Sequence, residues 1–373
     1  MPNKPPLNPE NLVGVLRSLN MAVYITDLDR RIVLWNRKAE EITGYKADDI
    51  VGSACHDNIL NHVDKHGHPL CTTNRCPLYR AMHLNKESQE PIIVYAKTRE
   101  GRRIPVSVST APLRDAEGRV IGGVETFREE TARFRDLEFA RRVQRAMFPE
   151  TVPAPPGFEF EARYYPYDLI GGDFYDLRQL DASHYAMFLA DVRGHGVSAA
   201  LYTMSLKNLG DRCRDAAGEP EKFLSAVNRE LSRVVLEESF ATAFYGVLDS
   251  ASGTLAYCNA GHPPPLHYHA ATREVTELAS HALPLGIVED EVGEADSIAL
   301  AKGDLILLYT DGVTEASGRA GRMIGADGLA AMLKEQMARP GPNMLEHLYQ
   351  QVEDACGEVS LGDDITLLSV RMT

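Results

Sequence analysis

Four times in the second half of the chain an apolar run meets an aspartate with glycine or a second aspartate beside it or, after Asp191, three residues on. Gly171-Gly172-Asp173-Phe174-Tyr175-Asp176 follows one hydrophobic stretch. Tyr185 to Ala190 runs into Asp191 and then Val192-Arg193-Gly194-His195-Gly196. Asp304 precedes Leu305 to Tyr309, which leads into Thr310-Asp311-Gly312. Gly362-Asp363-Asp364-Ile365-Thr366 opens the last apolar run, Leu367 to Arg371. A carboxylate at a strand end is held on a rigid element and exposed at its tip. Several gathered in one place repel one another unless hard cations lie between them, and Mg²⁺ and Mn²⁺ prefer oxygen ligands. Two such ions about 4 Å apart can activate a water and clamp a phosphoryl oxygen. Any one of these aspartates alone reads as a turn or cap residue. Four in the same setting point to phosphoryl chemistry.

The elements that must position them belong to a chain of 373 residues, long for one domain and ample for two. The apolar fraction of 44% allows each half a core of its own. A net charge of −14 argues against a general nucleic-acid binder, whose affinity rests on cationic contacts to phosphate. No stretch approaches the ~20 apolar residues of a membrane span, and Met1 to Pro6 has no secretory apolar region. These features predict a soluble cytoplasmic protein with six free thiols.

Val23 to Ile25 and Ile32 to Trp35 read as strands around the turn Asp27 to Arg30, and Asn36 to Gly44 as a short helix. Ile92–Thr98, Ile104–Ala111 and Val120–Phe127 follow as three more strands. Residues 128 to 147 are charged, free of glycine and proline, and carry Phe134, Leu137, Val143 and Met147. That pattern predicts an amphipathic helix, packed on the surface or paired as a short coiled coil. Beyond the proline-rich loop 149–157, strands and helices are expected to alternate to the end.

The ordered motifs GGDFYD, ADVRGHG, NAGHPPPL, LLYTDGVTEA and GDDITLL closely resemble the SpoIIE/RsbU-like bacterial phosphatases. These are metal-dependent type-2C (PPM-type) serine/threonine phosphatases, and the resemblance runs from about Ala140 to the C-terminus. It implies an αββα sandwich with two Mn²⁺ or Mg²⁺ ions at one end of the paired sheets. Asp173, Asp191, Asp311 and Asp363 would be the catalytic metal ligands, Asp191 bridging both ions. Val192 would add its backbone carbonyl and Asp364 a supporting role. Eukaryotic relatives follow the bridging aspartate with Gly-His. Here histidine arrives only at His195, a spacing that the bacterial branch shares. His195 and His262 are candidates for the leaving-group acid, though the bland reading makes each structural. The implied reaction is in-line attack of activated water on phosphoserine or phosphothreonine, without a covalent phosphoenzyme. The implied substrate is a phosphorylated anti-sigma-factor antagonist with a STAS fold.

TDLDRRIVLWNRKAEEITGYKADDIVG resembles the opening of PAS domains, which sense small molecules, redox state or light and often dimerise. Its middle holds Cys55, His56, His62, His66, His68, Cys71 and Cys76. Such a cluster can bind zinc, an iron–sulfur centre or haem. The spacing matches no strong metal signature, so buried thiols with solvent-facing histidines are the preferred reading. The ligand of this half is not legible.

The expected organisation is therefore an α+β PAS sensor domain over residues 10–128, a helical linker over 129–148, and an αββα sandwich phosphatase over 149–373. Control of the phosphatase through the linker, in a homodimer, follows as the expected mode of regulation. A diguanylate cyclase would need an acid where Phe174 stands and would leave three aspartates idle. A non-catalytic regulator on a phosphatase fold, or a scaffold assembled through the linker, is separated from the enzyme by metal-dependent phosphate release.

Overall fold

The computed structural model describes residues 9–373 apart from 58, 66, 86, 89–90, 154, 195, 234–238, 281, 290–291, 319–321, 339–340 and 358–361. The chain divides into two compact units, Met1–Asp136 and Leu137–Thr373.

In the first unit, helix α1 (Pro9–Ser18) precedes strands β1 (Ala22–Asp27) and β2 (Ile32–Trp35). Three short helices follow: α2 (Arg37–Thr43), α3 (Ala47–Ile50) and α4 (Pro77–Leu84). Strands β3 (Ile92–Lys97), β4 (Arg103–Arg114) and β5 (Val120–Glu129) complete an antiparallel sheet in the order β2-β1-β5-β4-β3. Asn36 starts α2, its Oδ1 accepting the Ala39 and Val23 amides at 2.9 and 3.0 Å. Gly44, at φ 78°, ends it in the left-handed conformation that glycine reaches most easily. Tyr24, Trp35 and Phe127 pack under the helices with Leu78 and Met82 as the core.

Helix α5 (Thr131–Arg145) carries the chain into the second unit. Strands β6 (Phe158–Tyr165), β7 (Asp173–Gln179) and β8 (His184–Val192) come first, then α6 (Val197–Arg212), a 3₁₀ turn (Arg214–Ala216) and α7 (Pro220–Ser232). Six strands follow: β9 (Ala241–Asp249), β10 (Thr254–Ala260), β11 (Leu266–His269), β12 (Glu274–Glu277), β13 (Asp296–Ala299) and β14 (Leu305–Tyr309). Helices α8 (Asp311–Thr314), α9 (Gly325–Ala338) and α10 (Met344–Cys356) precede the last strand, β15 (Ile365–Met372). The expected alternation of strand and helix is thus corrected: strands come in runs, because every pairing is antiparallel and hairpins suffice to join neighbours.

Two five-stranded sheets, β13-β10-β9-β8-β7 and β12-β11-β14-β15-β6, stack face to face. Met187, Leu189, Phe244 and Leu248 of one meet Ile306, Leu308, Leu368 and Val370 of the other. The outer face of the first sheet, with Ala186, Phe188 and Ala190, is covered by α6 and α7. Leu305, Leu307 and Tyr309 on the second lie under α9 and α10. Both faces of β8 and β14 are therefore buried, which is why each reads as an unbroken apolar run rather than an alternating one. Full burial of such side chains stabilises by about 1.5–3 kcal/mol each, enough to make the strand ends rigid platforms. Among the described residues no helix is long and apolar enough to cross a membrane.

Candidate active site

Antiparallel register puts Asp173, the first residue of β7, directly opposite Asp191 near the end of β8, with Thr242 of β9 on Asp191's other side. On the second sheet β14 ends at Tyr309, so Asp311 opens α8 just past the strand, and Asp363-Asp364 stands just before β15. Stacking brings these ends together. Thr310 and Thr366 donate their hydroxyls to the same Asp173 Oδ2, at 2.8 and 2.6 Å, and the Thr366 amide donates to Thr310 Oγ1 at 2.9 Å. Asp173 is therefore tied to both sheets. The other carboxylates lie around it: Asp364 is buried, while Asp191, Asp311 and Asp363 are half-exposed.

Asp364 has a distinct part. Its Oδ1 accepts the Tyr167 amide at 2.7 Å and its Oδ2 the Gly172 amide at 2.6 Å, while its own amide donates to Asp363 Oδ1 at 2.8 Å. Both oxygens are thus engaged by the loop that delivers Asp173. The backbone comes so close that a Cβ on Gly171 would overlap the Asp364 carboxylate and the Tyr164 hydroxyl, and one on Gly312 would overlap the Asp364 carbonyl oxygen. From the other side Gln144 of α5, itself buried, donates to the Gly171 carbonyl at 2.7 Å and accepts the Gly171 amide at 3.3 Å.

Burial raises the pKa of Asp173, and Asp191 and Asp364 raise it further against the two threonine hydroxyls. Asp191 is pushed up by burial and then by Asp311, Asp363 and Asp364. Asp311 is raised by burial and by Glu315 and Asp363, and Asp364 chiefly by burial. Carboxylates this close hold a proton between them or a cation, and an all-oxygen, half-open set suits Mg²⁺ or Mn²⁺. The donor chemistry therefore fits the divalent ions that the motifs imply.

His262 is buried. Its amide donates to Asn259 Oδ1 at 2.8 Å and its Nδ1 meets the Thr242 hydroxyl at 2.9 Å, beside the strand position of Asp191. Burial lowers its pKa to about 3, so the imidazole is neutral at physiological pH and carries no proton to donate as an imidazolium. Val192 is buried and its amide donates to the Gly172 carbonyl at 3.1 Å. His195 lies outside the described residues. Cys55, Cys71 and Cys76 are free, buried thiols in the first unit. The solvent-facing histidines expected beside them need one correction: His62 is buried against Glu125, at 3.8 Å, while His68 is exposed.

Asp304 belongs elsewhere. It stands at the opposite end of β14 from Asp311 and, with His267 and His269, is the one group of three potential ligands within 4.8 Å among the described residues. Its oxygens already accept the Ala270 and Ala301 amides and contact His267 Nε2 at 3.2 Å. Sequence reasoning did not single out Thr310, Thr366, Gln144 and Glu315. The two threonines stand inside motifs that were read for their aspartates alone. Gln144 has no signal of its own on a charged helix.

An acid-ended antiparallel αββα sandwich of this kind defines the PP2C-like phosphatase fold. The sequence model of stage II sporulation protein E (SpoIIE) matches residues 181–373, more than half of the chain, and a PAS domain model matches residues 20–132. The chain belongs to the SpoIIE family and is a protein serine/threonine phosphatase with a PAS domain ahead of its phosphatase domain. It is 28% identical to "Phosphoserine phosphatase RsbU" of Bacillus subtilis over 236 residues, 63% of this chain and 70% of that protein. It is 32% identical to "Phosphoserine phosphatase RsbP" of the same organism over 186 residues, 48% of this chain and 45% of RsbP. Among solved structures, the SiaA-PP2C domain of Pseudomonas aeruginosa aligns with a TM-score of 0.57 at 27% identity, over 65% of this chain and 98% of that one. The RsbU and RsbW domains of Rv1364c from Mycobacterium tuberculosis align with a TM-score of 0.51 at 30% identity, over 59% of this chain and 61% of that one.

Proposed function

We propose that the second unit hydrolyses phosphoserine or phosphothreonine on a protein, with two Mg²⁺ or Mn²⁺ ions held by Asp173, Asp191, Asp311 and Asp363 and by the Val192 carbonyl. The observation that carries this reading is the gathering of aspartates at one end of the paired sheets, with Asp173 opposite Asp191 in the strand register and Asp311 and Asp363 just beyond the facing strands. After burial, the strongest influences on Asp191 are three more carboxylates, so the set calls for cationic charge. When bound, such ions lower the pKa of water and neutralise the phosphoryl oxygens. The chain's own residues supply position. Thr310 and Thr366 hold Asp173 to both sheets, Asp364 and Gln144 hold the turn before it, and neutral His262 supports the β9 side.

The substrate proposed by family resemblance is a phosphorylated STAS-type anti-sigma-factor antagonist, whose dephosphorylation would change its binding to a kinase anti-sigma factor. Two relatives carry the name phosphoserine phosphatase, and one solved structure joins an RsbU domain to an RsbW domain, which supports the assignment. We assign residues 10–128 to the sensor, 129–148 to the linker and 149–373 to the phosphatase, in a homodimer in which the sensor sets turnover through the linker helix. The deciding experiment is phosphate release by the full chain with EDTA, Mg²⁺ or Mn²⁺. Activity should require metal and fall about 10²–10³-fold in Asp191→Asn. Activity that persists in EDTA, or an unimpaired Asp191→Asn, would sink the metal assignment. Removal of residues 1–127 should change turnover or its metal requirement; an unchanged rate at every metal concentration would end the case for control by the sensor.

A further inference from the structure

The second unit holds another gathering of potential ligands that the phosphatase chemistry does not use: His267, His269 and Asp304, at the far end of β14 from Asp311. Residues opposite one another in a ladder, and residues two apart on one strand, point to the same face of a sheet. His267 stands opposite Thr276 of β12 and Ile306 of β14, and His269 follows two residues on. Both therefore share the face that Ile306 turns toward the other sheet, and Asp304, two residues before Ile306, reaches the same place. His267 and Asp304 are buried and His269 is half-buried, so the group meets solvent at His269.

The distances are those of a chelating set. His267 Nε2 lies 3.2 Å from Asp304 Oδ2, and one ligand atom from each of the three residues lies within 4.8 Å of the others. Two atoms bound to one tetrahedral zinc are themselves about 3.3 Å apart, given metal bonds of about 2.0–2.1 Å. The two imidazole rings are 3.8 Å apart at their centroids. Around them stand the partners that orient metal ligands. Asp304 Oδ1 accepts the Ala270 amide at 2.8 Å and Oδ2 the Ala301 amide at 3.0 Å, which fixes the direction of the carboxylate. His269 Nε2 meets the Thr276 hydroxyl at 2.9 Å, which leaves Nδ1 for an ion.

We propose that His267 Nε2, His269 Nδ1 and Asp304 Oδ2 bind one zinc ion, with water as its fourth ligand. Two imidazoles and a carboxylate suit zinc, whereas the all-oxygen set at the other end of the strand suits Mg²⁺ or Mn²⁺. One domain thus offers two sites of different donor chemistry. The ion takes the place of the Nε2 proton that His267 directs at Asp304, and the neutral ring carries its proton on Nδ1 instead. His269, half-exposed, has the room to turn its ring onto the ion. Zinc here joins β11 to the start of β14 and so fastens the second sheet at the end remote from the catalytic acids; it takes no part in phosphoryl transfer.

This inference goes beyond the phosphatase reading and stands or falls apart from it, because its test counts zinc and not phosphate. The full chain is dialysed against micromolar Zn²⁺ with millimolar Mg²⁺ present, and the bound zinc per chain is measured by atomic absorption. Wild type should hold one zinc more than His269→Ala, a change at a half-exposed side chain, and Asp191→Asn should keep that ion. Thr276→Val, an exposed position that leaves all three ligands in place, should weaken zinc binding about tenfold. Zinc should also raise the unfolding temperature of wild type and not that of His269→Ala, as expected of an ion that binds only the folded chain. Equal zinc in wild type and His269→Ala, or an extra ion that is lost in Asp191→Asn, would overturn the assignment.

Discussion

Acidic groups are buried in both units, yet at different places on the strand. In the second unit they stand at strand ends, and Asp191, Asp311 and Asp363 keep part of their surface in water. In the first unit Glu125 sits in the middle of β5 with no exposed surface. Burial raises the pKa in both places. What differs is the relief on offer. At a strand tip water and cations can reach the charge, whereas in mid-strand only a proton can. Position along the strand thus decides whether a buried acid is open to water and cations or remains a neutral part of the core.

The sharpest test of that contrast within the acidic site is Asp364→Asn. An amide oxygen can accept from Tyr167 or from Gly172, but the amide nitrogen facing the other N–H cannot. Turnover at saturating metal should fall about 10–100-fold, as for the outer partners of metal ligands. A loss as large as that of Asp191→Asn would make Asp364 a ligand in its own right. Gln144→Ala should cost roughly tenfold in kcat, since it frees the Gly171 turn without touching a carboxylate. An unchanged kcat would remove α5 from the site.

The smallest effect is expected in the sensor. Glu125→Gln should shift unfolding stability by only about 1 kcal/mol near pH 5. The native chain keeps the Glu125 proton, which the unfolded chain releases above about pH 4.3. Wild-type stability therefore declines as pH rises from that value toward the raised native pKa, and the glutamine variant escapes the decline. Its advantage should grow between pH 5 and pH 8 in urea unfolding followed by Trp35 fluorescence. A variant that loses ground as pH rises would mean that Glu125 is ionised in the native chain.

The sequence made the acids visible because a charged residue next to glycine at the end of an apolar run is rare enough to notice. It also made the first sheet legible, since β1 to β5 are bounded by clear turns such as Asp27–Arg30 and Asp115–Gly118. The order of strands in the second unit was harder to see. Tyr185–Ala190 and Leu305–Tyr309 are apolar on both faces, and an unbroken apolar run does not tell a parallel sheet from an antiparallel one covered on both sides. Thr310, Thr366 and Gln144 stayed hidden for a different reason. Their roles depend on residues 137, 193 and 27 positions away, and small polar side chains carry no local mark of such partners.

The close approach of Gly312 to the Asp364 carbonyl has a consequence for inheritance. A single nucleotide change that put alanine there would press the loop before β15 away from the other acids, with every aspartate still written in the gene. Family members could thus lose turnover without losing any acidic residue, and a census of carboxylates would still count them as enzymes.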